Sequence, residues 1–144
     1  MKSVPTLIFT LTLAACGQGS NSQLPGDSSD TQPYSDITAG EVLQLTGTEP
    51  FWGGDVTGGT LTYTTPEIPD GIKIEITRFA GRGGLSLSGE LDGQKLDVMV
   101  GPGDCSDGMS DRTYPFTVTL LIGEEIRSGC GWSSGQPYTE DEVP

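Results

Sequence analysis

Oxygen-bearing side chains are concentrated in one short stretch of the chain, Gly101–Pro115. Three aspartates and two serines stand there at close spacing: Asp104, Ser106, Asp107, Ser110 and Asp111. Carboxylate and hydroxyl oxygens are the ligands that a hard cation such as Ca²⁺ prefers, so this cluster is a candidate cation site. Its spacing is not that of an EF-hand loop, and the same residue types also cap turns. We favour turn capping and predict no bound metal or other cofactor.

The densest aromatic stretch, Gly47–Trp52 (GTEPFW), is the candidate binding patch. Tryptophan supplies a large contact area and a polar N–H, so Glu49, Phe51 and Trp52 could together contact a ligand. The alternative is structural, with Phe51 and Trp52 as core anchors at the start of a strand that Pro50 introduces. We favour the structural interpretation and keep the patch as the candidate site.

Histidine is absent from the chain, and the overall charge is strongly acidic. There are 20 Asp and Glu residues against 7 Lys and Arg, a formal charge of −13. Phosphate backbones repel such a protein, so we expect no nucleic-acid partner. Without histidine, Ser-His-Asp catalysis and histidine zinc sites are excluded. We assign no catalytic residue and predict that the protein is not an enzyme.

The first 16 residues have the layout of an export signal. Lys2 precedes a mostly apolar stretch that is too short to span a bilayer. The stretch ends in Leu13-Ala14-Ala15-Cys16, which resembles the bacterial lipobox. The resemblance implies that residues 1–15 are a signal peptide, that Cys16 is lipidated, and that the mature chain is anchored to a membrane surface. Gly17 after the cysteine favours the periplasmic face of the outer membrane, and the alternative is an ordinary secretory signal.

The residues that follow the cysteine have little to bury. Residues 17–37 are rich in Gly, Ser, Asp, Gln and Pro, so we predict a lipidated cysteine and flexible tether over 16–37. As a flexible coil, the tether would have an end-to-end distance of about 25 Å. A β domain is predicted over 38–135. The acidic tail, residues 136–144, is predicted to be frayed.

Two cysteines remain once Cys16 is assigned to lipid, and an exported chain favours a disulfide between them. Cys105 and Cys130 would close a loop of 25 residues, worth roughly 3 kcal/mol of stability. A redox-active pair and a two-cysteine metal site are the alternatives, although the spacing is not C-x-x-C.

Period-two alternation predicts eight short strands joined by turns. The clearest apolar faces are Ile72, Ile74, Ile76; Leu85, Leu87, Leu91; Leu96, Val98, Val100; and Val118, Leu120, Ile122. Further strands are predicted at Val42–Leu45, Trp52–Val56, Leu61–Tyr63 and Glu125–Trp132.

The connections between these strands complete the predicted fold. Asp92-Gly93 predicts a type I′ hairpin, Gly89 a bulge or bend, and Gly101–Pro115 a long loop. In the last strand Ile126, Cys130 and Trp132 share a face that we expect to point into the core. The predicted fold is all-β, a small antiparallel barrel or sandwich of about eight strands with one disulfide-pinned loop.

Three motifs resemble a family of small, uncharacterised bacterial envelope lipoproteins. They are GTEPFW at 47–52, CSDGMSDRTYP at 105–115 and SGCGW at 128–132. The layout from Arg78 to Ser110 is also similar to the META/HslJ-like β domain, which usually has cysteine and asparagine where this chain has Leu85 and Ser86. The resemblances imply a compact β fold in the cell envelope and carry no catalytic site.

These observations together lead to an expectation about function. We expect a membrane-anchored envelope lipoprotein that acts as a non-enzymatic binding or structural module, with an envelope protein among its candidate partners. The alternative is an inhibitor of a cationic hydrolase such as lysozyme, because the acidic chain would steer a basic enzyme toward it.

Overall fold

Ten antiparallel β-strands and no helix make up residues 32–140, the part of the chain that the computed structural model describes. Their bounds are β1 Leu43–Thr48, β2 Phe51–Thr57, β3 Thr60–Thr65, β4 Ile68–Glu75, β5 Thr77–Ala80, β6 Leu85–Leu91, β7 Gln94–Cys105, β8 Arg112–Ile122, β9 Glu125–Ser133 and β10 Thr139–Glu140. The all-β antiparallel prediction is confirmed, and all eight predicted strands are present. Strands β5 and β10 were not predicted.

Several sequence predictions lie outside the described residues. These are the signal peptide at 1–15, the lipidation of Cys16, most of the tether, and the last four residues of the tail. Between residues 32 and 140 there is no helix long and apolar enough to cross a membrane.

The strands form one sheet in the order β4-β3-β2-β1-β9-β8-β7-β6-β5, with β10 paired to β8. The edge strands β4 and β5 are consecutive in the chain and only Ile76 separates them, so the sheet curls until its edges come close. It is not closed into a barrel. At the gap, a Cβ atom on Gly89 would lie 2.7 Å from the carbonyl oxygen of Glu75. Gly89 therefore permits this close approach. Of the predicted bulge or bend at Gly89, the bulge is wrong, because the β6–β7 register runs without a shift through Gly89.

Alternate residues of the strands fill the inner face of the curled sheet, as their period predicted. The apolar residues that are 0–2% exposed on this face are Leu43, Leu61, Leu85, Leu87, Leu96, Val98, Val100, Phe116 and Leu120. The Asp92-Gly93 hairpin is also confirmed, because both residues have the positive φ angles (51° and 78°) that a type I′ turn requires.

The N-terminal boundary of the domain lies earlier than predicted. Tyr34 and Ile37 are buried, at 9% and 1% exposure, and both belong to the core. The amide of Tyr34 donates to the carbonyl of Gly81 at 2.6 Å, and the Arg78 guanidinium donates to the carbonyl of Ile37. The prediction of a tether extending to residue 37 is therefore wrong for residues 34–37, because two apolar side chains in a polar stretch are enough to dock it.

The face assigned to β9 is also corrected. Ile126, Cys130 and Trp132 do share a face, but it is the outer one, and Ile126 is 68% exposed. The inner positions include Gly129 and Gly131, which pair with Val118 and Phe116 of β8. A Cβ on Gly131 would lie 3.3 Å from Leu45 Cδ2, so neighbouring side chains use the space that glycine leaves.

The predicted disulfide is present and covers part of that outer face. Cys105 and Cys130 are bonded, with Cα atoms 5.6 Å apart, and Cys130 is only 2% exposed. The long loop predicted over 101–115 is reduced to residues 106–111, because β7 continues to Cys105 and β8 begins at Arg112. A register shift between Pro102 and Cys105 lets the extended arm bend.

The tail is ordered further than predicted. Thr139–Glu140 forms β10, and the guanidinium of Arg112 lies 4.4 Å from the ring centroid of Tyr138. The ring of Tyr138 also contacts Tyr114 and Trp132, with centroids 5.6 and 5.5 Å away. The frayed-tail prediction is therefore wrong for residues 136–140.

Successive turns of an antiparallel sheet lie at alternate ends of its strands. The turns that join β1 to β2, β3 to β4 and β8 to β9 lie at one end, called here the mouth end. The β5–β6 turn and the start of β1 lie at the other, called the N-terminal end, where Tyr34 and Ile37 pack.

Candidate functional site

An open groove of about 730 Å³ lies at the mouth end, between the β1–β2 and β3–β4 turns. We call it the mouth groove. Its lining residues are Thr48, Glu49, Pro50, Phe51, Tyr63, Thr65, Pro66, Glu67 and Arg127. It thus contains two members of the predicted binding patch, Glu49 and Phe51, together with Tyr63 and Arg127, which the sequence analysis did not select.

The third member of that patch, Trp52, points the other way. Neighbouring residues of a strand face opposite sides of the sheet, so Phe51 and Trp52 cannot both be core residues. Trp52 is the buried one, at 4% exposure, whereas Phe51 is 52% exposed. The indole N–H of Trp52 donates to the carbonyl of Ser128 at 3.4 Å. The core prediction is confirmed for Trp52 and wrong for Phe51.

Arg127 forms the polar floor of the mouth groove. It lies on the inner side of β9, and its side chain is 16% exposed. Its Nη1 donates to the hydroxyl of Tyr63 at 2.6 Å, and its Nε donates to Oε1 of Glu125 at 2.8 Å. The bond to Glu125 raises the pKa of the guanidinium despite its partial burial, so the cation is fixed in place by two partners.

The sequence analysis missed Arg127 because it assigned the two faces of β9 the wrong way round, with Ile126 inside and Arg127 outside. The signal available was the pair Glu125 and Arg127, two residues apart, which places opposite charges on one side of a strand.

The hydroxyl of Tyr63 is protonated at neutral pH, because burial, the largest cause, raises its pKa above the usual range. The phenol is therefore a neutral group that accepts from Arg127 and has its proton to donate.

The rim of the groove is acidic. Glu49 and Glu67 line it, and Glu125 is bonded to its floor. The backbone amide of Glu67 itself and the Thr65 hydroxyl lower the pKa of the Glu67 carboxyl. That carboxylate is ionised at neutral pH and suits a fixed charge better than a general acid. The groove therefore offers an exposed aromatic ring, a hydrogen-bonding floor and a negative rim.

The aspartate cluster caps a turn. Oδ1 of Asp107 accepts from the amides of Met109 and Ser110 at 2.9 and 2.8 Å. Its Oδ2 accepts from the hydroxyls of Ser110 and Tyr114 at 2.8 and 2.9 Å. The backbone amides and hydroxyls that donate to it lower the pKa of the Asp107 carboxyl. Asp104, Asp107 and Asp111 do not together form a metal-binding group, since residues 32–140 contain no group of three His, Cys, Asp or Glu residues placed to hold a metal ion.

The three sequence motifs meet in space. Trp52 of the first motif lies against Gly129 of the third, where an added Cβ would be 2.8 Å from the ring. Cys105 of the second motif is bonded to Cys130. The motifs therefore meet at one structural junction beside the mouth groove, and of their residues only 48–51 line the groove.

Comparison with known proteins gives no relative: no protein-family model matches the chain, and neither the curated proteins nor the solved structures contain a significant match.

Proposed function

We propose that the protein is a lipid-anchored lipoprotein of the bacterial cell envelope, from the family of small lipoproteins that its motifs resemble, and that, of the binding and structural roles expected from the sequence, its β domain serves as a non-enzymatic binding module. The mouth groove is its ligand site. The observation that carries the proposal is the exposed Phe51 ring beside the Arg127–Tyr63 pair in an open groove.

Phe51 contributes little to the core, because about half of its side chain is exposed at the start of β2. Aromatic and arginine side chains are the types that dominate binding energy when a partner covers them. The guanidinium is already oriented by Tyr63 and Glu125, so a ligand that reaches it pays little of the entropy of ordering a long side chain.

The position of the groove fits an anchored binder. The N-terminal segment packs at the N-terminal end of the sheet, through Tyr34 and Ile37. The mouth groove opens at the opposite end. A lipid on Cys16 would therefore attach the domain at the end opposite to the mouth groove.

The acidic rim selects the charge of the ligand. A cationic partner gains from Glu49 and Glu67, whereas an anion would approach against them. This rim, together with the net charge of −13, also favours the second candidate function, an inhibitor of a cationic hydrolase such as lysozyme, with Phe51 as the inserted residue.

Site-specific photo-crosslinking tests the proposal in the native envelope. A photoreactive residue at position 51 is compared with one at position 126, since Ile126 is also exposed, at 68% against 52% for Phe51, but lies on the outer face of β9. We expect one adduct at position 51, lost on competition with the wild-type protein, and none at 126. Equal labelling at both positions, or the same yield with and without competitor, contradicts a site at the mouth.

Salt distinguishes the two candidate functions. Capture of a basic hydrolase by the wild-type protein that fails in high salt and in the Phe51→Ala variant supports the inhibitor. A partner that survives high salt but is lost in Phe51→Ala supports the binding module. Ile126→Ala is the matched control and should keep either partner.

The anchor has its own test. We expect Cys16→Ser to abolish labelling of the protein by a clickable fatty acid and to release it from the membrane fraction. Undiminished labelling of that variant contradicts the lipoprotein assignment and leaves the groove proposal standing.

A further inference from the structure

A second surface lies on the outer face of the sheet, around Phe79 and Met99. Their side chains are 68% and 47% exposed. Phe79 pairs with Ser86 and Ser86 with Met99 across β5, β6 and β7, so the two apolar residues flank a small one. The result is a shallow groove of about 370 Å³, called here the side groove.

The side groove carries no charged residue. Its lining consists of Phe, Met, Leu, Val, Gly, Ser and Thr residues only, in a chain that has 20 Asp and Glu. The mouth groove, by contrast, is lined by Glu49, Glu67 and Arg127. An uncharged groove lining with an exposed phenylalanine costs little to place against the interfacial region of a bilayer, where a carboxylate would be unfavourable. The exposed residue between lining Gly81 and Gly83 is Arg82, a cation and not a carboxylate.

The N-terminal segment enters the domain beside the side groove. The amide of Tyr34 donates to the carbonyl of Gly81, and Gly81 itself lines the groove. Residues 1–31 lie before this point, and they include the predicted lipid acceptor Cys16. The chain therefore leads from the anchor to the edge of this groove.

We propose that the side groove is the surface through which the anchored domain rests on the lipid bilayer. The proposal depends on the lipid anchor of the proposed function, because Phe79 and Met99 alone form a small contact that needs a tether to hold the domain near the membrane. Contact here places Phe79 at the headgroup level and leaves the mouth groove uncovered for its ligand.

Tryptophan fluorescence of the full, lipidated protein tests the contact. The protein is reconstituted into vesicles of phosphatidylethanolamine and phosphatidylglycerol, with or without bromine on the acyl chains. Phe79→Trp is compared with Phe51→Trp, a matched control because Phe51 is also exposed but lies in the mouth groove. The wild-type emission of Trp52 and Trp132 is subtracted in both cases.

We expect the added emission of Phe79→Trp to shift to shorter wavelength on vesicles and to be quenched by the brominated chains, while that of Phe51→Trp does neither. Vesicle-bound protein without quenching at position 79, or with equal quenching at both positions, overturns the contact but not the anchor. Protein that fails to float with the vesicles overturns the anchor and the contact together. A shift that also occurs in detergent and grows with protein concentration assigns the surface to a second copy of the chain and overturns the lipid contact.

Discussion

The indole of Trp52 occupies the space in which a side chain on Gly129 would stand. A Cβ atom at position 129 would lie 2.8 Å from Cζ2 of the ring and 2.3 Å from the carbonyl oxygen of Thr46. On the other side, a Cβ on Gly47 would lie 1.9 Å from the indole nitrogen. One tryptophan therefore bridges β2 to β9 across β1, and it can do so only because two strands carry glycine at the crossing.

This contact predicts that Gly129→Ala is strongly destabilising. Backbone atoms of Thr46 cannot move aside without breaking the β1–β9 pairing, so we expect a loss of about 3 kcal/mol in the free energy of unfolding, at the upper end for overpacked cores. Thermal or urea unfolding measures it. Gly40→Ala is the control, since nothing lies within 4 Å of its added Cβ, and an equal loss in both variants contradicts the explanation.

Substitution of Trp52 should mainly reduce stability, whereas substitution of its neighbour Phe51 should leave stability nearly unchanged and affect only binding. Trp52→Ala removes a 4% exposed side chain, for which we expect a cost of about 3–5 kcal/mol. Phe51→Ala should change stability by about 0.5 kcal/mol or less, as for other exposed sites. Thermal melts of both variants check the pair. An unchanged melting temperature for Trp52→Ala would contradict its assignment to the core.

The sequence was sufficient for eight of the ten strands, but it did not show which face of a strand is buried wherever the alternation is broken. Ile72 to Ile76 and Leu96 to Val100 alternate without interruption, and their faces were predicted correctly. In β9 the inner positions include Arg127 and Gly129, neither of which carries a hydrophobic signal. Ile126 was therefore assigned to the core, although it is 68% exposed, and Arg127 was overlooked as a site residue.

Removing the hydroxyl group should have opposite effects on stability at two buried tyrosines, Tyr34 and Tyr114. The hydroxyl of Tyr34 is buried and has no hydrogen-bond partner among residues 32–140, and burial, the largest cause, raises its pKa to about 12. Tyr34→Phe should leave stability unchanged or raise it by up to about 1 kcal/mol, because an unsatisfied polar group is removed.

Tyr114→Phe is the matched comparison. Its hydroxyl donates to the carboxylate of Asp107 at 2.9 Å, so its loss should cost about 1.5–3 kcal/mol, the range for a bond to a charged group. Urea denaturation of both variants measures the difference. The opposite order, with Tyr34→Phe the less stable, would show that the Tyr34 hydroxyl has a partner.

Removing the disulfide should destabilise the domain without unfolding the sheet pairing elsewhere. The bond closes a separation of 25 residues between Cys105 and Cys130, and we expect the double variant Cys105→Ala, Cys130→Ala to lose roughly 3 kcal/mol. Urea unfolding under non-reducing conditions measures this. A wild-type protein that unfolds identically with and without reductant contradicts the prediction.

The limits of the predicted domain have a physical cause as well. Tyr34 and Ile37 lie among polar residues, and Tyr138 follows a proline, so no local period marks them as structured. Their order comes from contacts with residues far away in the chain, such as Gly81 and Arg112. The mouth groove was only half predictable for the same reason: Phe51 belongs to a visible motif, while Tyr63 and Arg127 reach it through pairing of distant strands.

The hydrogen bonds of the Glu41 carboxylate should make the stability of the domain depend on pH. Its carboxylate accepts from the Ser133 hydroxyl at 2.6 Å, from the Thr38 amide at 3.0 Å and from the Gly135 amide at 3.2 Å. The Ser133 hydroxyl, the largest cause, and these amides lower the pKa of Glu41 from 4.5 to about 2. The ionised form is thus favoured by folding, and its contribution is complete above the unfolded pKa.

That contribution is lost as the pH falls from about 4.5 toward 2, because protonation removes the acceptor that holds the N-terminal segment to the end of β9. We expect Glu41→Gln to be less stable than wild type at pH 7 by about 1 kcal/mol, a value reduced for solvent screening. The difference should fall steeply below about pH 4.5 and be small at pH 2, near the native pKa, where half of the native carboxyls are still ionised. Urea unfolding at pH 7, 4.5, 3 and 2 follows it, and an NMR titration of the Glu41 carboxyl carbon reads the pKa directly. A difference that stays constant across these pH values would mean that glutamine is destabilising because its amide group does not fit the hydrogen-bond donors around position 41. The charge of Glu41 would then contribute nothing to stability.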